Sequence, residues 1–125
     1  MSVIRHAESR RTETPSAVMT TLASPTQGGG EQPIWRVDVG PGQVGPAHVI
    51  DTQQIWTVLH GDVTVDLDGS TIDAGPGDTI VMPGAVPRQV SAGSANGFAA
   101  IVVGAAGARA SLPDGTDRGV PPWML

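Results

Sequence analysis

Two stretches decide how this chain is read: GQVGPAHVIDTQQIWTVLHG, from Gly42 to Gly61, and GDTIVMPGAVPR, from Gly77 to Arg88. Within the first, QIWTVLH (Gln54–His60) is rich in β-branched and aromatic residues and stops at Gly61-Asp62, as a short strand closed by a turn should. Within the second, DTIVM (Asp78–Met82) lies between Gly75-Pro76-Gly77 and Pro83-Gly84, again a strand between breakers. Asp78 at its start serves the turn rather than a site. Side chains alternate along an extended strand, so the even-numbered His48, Ile50, Gln54, Trp56 and Val58 face one way. That face gathers an imidazole, a primary amide and an indole among aliphatic side chains.

The same punctuation extends outward in both directions. VTVDL (Val63–Leu67) meets TIDA across Asp68-Gly69, and that dipeptide between alternating runs predicts a hairpin with a type I′ turn. IWRVDV (Ile34–Val39) alternates cleanly, with Trp35, Val37 and Val39 on one side. GFAAIVV (Gly97–Val103) reads as a more fully buried strand, and AVMTTLA (Ala17–Ala23) as an earlier one. Seven or more short strands in 125 residues mean a sandwich or a barrel in one domain. Composition agrees, since 15 Val, 7 Ile and 11 Thr against 5 Leu favour strand over helix. Residues 1–14 read as a polar tail, 15–107 as the barrel, and 108–125 as a second tail packed on it through Trp123. Trp35 and Trp123 are taken as packing residues, and His60, beside a turn, as solvent-exposed.

Charge and cysteine content remove whole classes of function. The chain has no Cys, which excludes disulfides, zinc knuckles and thiol nucleophiles. Seven basic residues, all Arg, stand against twelve acidic ones, a net charge of −5. Phosphate contact needs clustered Lys and Arg, so neither nucleic acid nor an anionic membrane is expected as a partner. No apolar run approaches the roughly 20 residues of a membrane span, and the chain is expected in the cytoplasm. Asp62, Asp66, Asp68 and Asp73 do not follow the spacing of an EF-hand loop and read as the wet face of a hairpin.

The two quoted segments resemble the paired motifs of the cupin superfamily, GxxxxxHxHxxxExxxxxxG and GxxxxxPxGxxHxxxN. Gly42, His48, Gly61, Gly77 and Pro83 fall at the matching positions, with 15 residues between Gly61 and Gly77 as in small bacterial cupins. The resemblance implies an all-β fold, a double-sheet jelly-roll barrel of six to eight strands with a pocket inside. It also implies that Arg88 enters that pocket from a neighbouring strand, and that small cupins dimerise, often by exchanging an N-terminal strand. Ala17–Ala23 would be that strand, so a homodimer is expected.

Cupins usually hold a metal with two His and a Glu from the first motif and a His from the second. Here the four positions are His48, Ile50, Gln54 and Arg88, and Ala85 and Ala92 replace a motif Gly and Asn. A guanidinium cannot ligate and repels a cation, so no cofactor is expected; a metal, if present, would fall to His48 and Gln54. The same residues suit a small anionic or planar carbonyl metabolite. His48 would move a proton, Arg88 would clamp an anion and Gln54 would orient His48 or polarise a carbonyl. Trp56 would stack on the ligand, while Ile50, Val58 and Met82 complete the substrate-binding wall. The leading expectation is acid/base chemistry of isomerase, cyclase, dehydratase or decarboxylase type, as in cupins of bacterial natural-product pathways. A non-catalytic ligand-binding or sensor module, and a metal-dependent oxygenase, are the alternatives.

Overall fold

The computed structural model describes all 125 residues. One layer is a six-stranded antiparallel sheet in the order β1 (Arg10–Glu13), β2 (Ala17–Ala23), β3 (Ile34–Val39), β10 (Phe98–Val103), β5 (Gln54–Gly61) and β8 (Thr79–Met82). The other layer holds two ladders. One runs β7 (Ser70–Ala74), β6 (Val63–Leu67), β9 (Arg88–Ala92), the other β12 (Asp117–Gly119), β11 (Ala110–Ser111), β4 (Val49–Ile50). The first motif joins them. His48 and Arg88 exchange both backbone hydrogen bonds at 2.9 Å, and the Gly45 amide donates to the Val90 carbonyl. Two layers closed in this way make the double-sheet jelly-roll barrel.

Alternation sets what each strand puts inside. On β5, Gln54, Trp56 and Val58 are buried while Ile55 and Leu59 face solvent. On β8, Ile80 and Met82 are buried and Val81 is exposed. β6 contributes Val63 and Val65, β3 contributes Trp35 and Val37, and all of these belong to one core cluster. The β6–β7 hairpin turns at Asp68 and Gly69, both at positive φ as a type I′ turn requires. Its aspartates stay wet, with Thr64 donating to Asp73 and Thr71 to Asp66. Gly61 is fixed by close approach, since a Cβ there would overlap the Gly97 carbonyl oxygen. In the β8–β9 loop Ala85 adopts φ +64 at the position where the cupin motif has glycine.

Both ends of the chain carry short strands that their reading as tails did not include. Arg10–Glu13 forms β1, an edge strand whose register runs Arg10 opposite Thr21. Its polar alternation has no apolar face to betray it, because it caps a sheet rather than covering a core. β2 lies between β1 and β3 of the same chain, so both of its edges are paired within the chain. Ala108 and Met124 are buried, and β11 and β12 extend the second layer. No helix is long and apolar enough to cross a membrane.

Candidate functional site

A cavity of about 660 Å³ opens between the layers at one end of the barrel. Its walls come from β2, β3, β5, β9, β10, β11 and β12, from the 14–16 and 44–50 segments, and from Pro121 and Trp123. The aromatic share of those walls is larger than the sequence suggested. The chain contains three Trp, one Phe and no Tyr, and all four aromatic residues, Trp35, Trp56, Phe98 and Trp123, line this cavity. Trp35 and Trp123 were expected merely to pack. Strand parity could have placed Trp35, but nothing local marks Trp123, which arrives on the short 3-10 turn Pro122–Met124. The Thr21 hydroxyl holds that turn by donating to the Trp123 carbonyl at 2.8 Å.

Inside, two polar side chains are set by fixed hydrogen bonds. The Trp56 indole N–H donates to Gln54 Oε1 at 3.1 Å, and both residues are buried on neighbouring inward positions of β5. An indole N–H can only donate, so this bond orients the amide and leaves the Gln54 NH₂ free to donate elsewhere. His48 Nδ1 lies 2.9 Å from the Pro46 carbonyl, which can only accept. The proton therefore sits on Nδ1, and Nε2 keeps a lone pair with no partner in the chain. Burial pushes the His48 pKa below its ordinary 6.5; the Pro46 bond opposes this, and the charge of Arg88 lowers it further. At neutral pH this imidazole is an uncharged base.

Arg88 does not line the cavity, contrary to expectation. Arg88 is only 2 % exposed, and its guanidinium extends toward the end of β8. There Nη2 donates to the Pro83 carbonyl at 2.8 Å, Nη1 lies 3.4 Å from Met82 Sδ, and Nε has no partner. The reason is acceptor supply. The cavity wall is apolar and without carboxylates, whereas the β8 end offers a carbonyl and a sulfur to a cation that stays protonated even though burial pushes its pKa down. Val58 and Met82 also leave the predicted wall. They share the inward face but lie deeper, 1 % and 0 % exposed, outside the cavity lining. His48, Ile50, Gln54 and Trp56 do line it together. His60 is exposed, and Asp78 accepts from the Gly75 amide at 2.9 Å as a turn residue.

A family model described as a cupin domain matches residues 35–104, more than half of the chain. The chain belongs to the cupin family. A cupin-2 domain protein from Rhodospirillum rubrum superposes with a TM-score of 0.77 at 18% identity, over 90% of this chain and 80% of its own. The polyketide cyclase RemF from Streptomyces resistomycificus gives 0.74 at 19% identity, over 98% and 88%. KdgF from Halomonas sp. gives 0.70 at 21%, over 84% and 93%. Identities this low speak for the fold. No curated protein sequence matches the chain.

The metal usual in cupins does not fit the residues of this one. Of the four ligand positions only His48 and Gln54 carry a donor, and that of Gln54 is a neutral amide oxygen that also accepts from the Trp56 indole. Ile50 offers nothing, and Arg88 brings a positive charge that no carboxylate neutralises. No three His, Asp or Glu side chains gather into a group that could hold an ion. A divalent ion would lose its water for one imidazole beside a buried cation, an exchange that Coulomb repulsion disfavours by several kcal/mol.

Proposed function

We propose that this cupin is a metal-independent enzyme that shifts a proton on a small planar carbonyl compound held in the aromatic-walled cavity. The observation that carries the reading is the His48–Pro46 bond, because it leaves Nε2 unprotonated and unpartnered in the wall of an apolar cavity. The lone pair of Nε2 takes the proton from the carbon beside the carbonyl. The electron pair of that C–H bond moves to the carbonyl oxygen, and the Gln54 NH₂ donates to the resulting enolate. Return of the same proton at a conjugated position completes an isomerisation with no other reactant. In a cyclisation the enolate carbon instead adds to a second carbonyl carbon of the same molecule, the C=O π pair moves to that oxygen, and Nε2 returns its proton there. Aromatic side chains on several walls support a flat substrate, since they offer stacking and edge contacts to a ring.

The test uses exchange rather than turnover, so it needs no natural substrate. Wild-type protein is incubated with α-tetralone and related aryl ketones in D₂O, and loss of the α-proton signal is followed by NMR. Catalysed exchange should fall by about 100-fold or more in His48→Ala and by less in Gln54→Ala. Ligands that quench tryptophan fluorescence without any catalysed exchange would replace this reading with that of a non-catalytic binding cupin.

A further inference from the structure

Only two titratable side chains line the cavity, His48 and Arg118, and no Asp or Glu does. This holds in a chain with twelve acidic residues and a net charge of −5. The surface is acidic and the cavity is not. Arg118 stands among the exposed lining residues Pro15, Val44 and Pro46, which together mark the mouth, while Gln54 and Trp56 lie buried at depth.

Arg118 is also a guanidinium without a bonded partner, its charge reaching Asp114 only as a minor contribution to holding that carboxyl below its ordinary range. It makes no hydrogen bond or ion pair, whereas both carboxylates nearest to it in sequence are committed. Asp117, its neighbour on β12, pairs with Arg109 at 2.7 Å and accepts from the Gly119 amide at 2.8 Å. Asp114 accepts from the Thr116 amide at 2.9 Å. Alternation along β12 separates the two faces: Asp117 goes to Arg109, and Arg118 goes to the cavity. A fork of donors at the rim of an apolar, aromatic pocket matches a ligand with a flat body and an anionic end.

We infer that Arg118 is a specificity-determining residue and that the cavity takes planar aromatic molecules bearing a carboxylate or phenolate directed at the mouth. This rests on the reading of the cavity as the ligand site, and it assigns to Arg118 the anion contact that the sequence had suggested for Arg88. Its location could not be read from sequence, because residue 118 lies beyond both motifs.

The experiment compares naphthoate with naphthamide, probes of equal shape and different charge, by tryptophan fluorescence titration at about pH 7.5, where the acid is ionised. Naphthoate should bind at least about tenfold more tightly than naphthamide. Arg118→Gln should weaken naphthoate binding until the two probes bind alike, and Arg118→Lys should retain part of the preference. Equal binding of the two probes by wild type, or a naphthoate preference that survives Arg118→Gln, overturns the assignment to Arg118 and leaves the aromatic cavity as the ligand site. Failure of both probes to bind overturns the cavity reading itself, and this inference with it.

Discussion

Met82 and Met19 are the same side chain in opposite surroundings. Met82 sits where the barrel interior is solid: with Val58, Val65 and Arg88 it is at most 2 % exposed. Met19, on β2, faces the cavity and only partly packs against the core. Strand alternation delivers both regions by the same rule, choosing inside or outside for each residue. It says nothing about depth. What separates the regions is filling, by aliphatic side chains and one extended arginine in the first, and by aromatic walls around open space in the second.

That contrast has a direct energetic consequence. Met82→Ala leaves a closed void and should cost about 3 kcal/mol, whereas Met19→Ala enlarges a space that already exists and should cost about 1 kcal/mol. Urea unfolding of the two variants measures the gap. Equal costs would mean that the cavity closes or fills in solution.

Arg88 sharpens the comparison from the solid side. Replacing it by Met removes a buried charge that no carboxylate balances, at the loss of its bond to the Pro83 carbonyl, so stability should stay level or rise by up to about 1 kcal/mol. The variant should also raise the His48 pKa, because a like charge has gone. The sign of the pH effect follows. With the folded pKa below 6.5, the unfolded chain takes up the His48 proton first as pH falls. Stability is therefore full above 6.5 and is lost as pH drops through the folded-state pKa. In Arg88→Met that loss should shrink. NMR titration of the His48 ring in both proteins reads it, and an unmoved titration would falsify the coupling.

The smallest effect belongs to the loop between the two motif strands of the second segment. Ala85 at φ +64 carries about 1 kcal/mol of backbone strain. Glycine relieves it but adds freedom to the unfolded chain. Ala85→Gly should therefore raise stability by about 0.5 kcal/mol, seen as a small upward shift in thermal midpoint. A lower midpoint would show that Ala85 makes packing contacts outweighing its strain.

Much of the barrel was legible in the sequence because it depends on local signals. Asp68-Gly69 named its hairpin, Gly61 and Gly77 spaced the motifs, and even-numbered parity put His48, Ile50, Gln54 and Trp56 on one wall. The rest depended on distance across the fold. β1 is polar on both faces and exists because β2 offers it an edge. Trp123 and Arg118 reach the cavity from the last quarter of the chain, where no motif or period guides the reading. Arg88 was placed on the correct strand, but a long flexible side chain goes to its acceptors, and those lie at and just past the end of β8.

The position of β10 at the middle of the six-stranded sheet governs how this protein is made. β3 and β5 form no ladder with each other; each pairs with β10, across intervals of about sixty and forty residues. A chain growing on the ribosome carries both strands with open edges until Val103 has emerged. Folding should therefore be late, abrupt and slow, on a millisecond-to-second scale, with the nascent sheet dependent on its last central strand and open to association until that strand arrives.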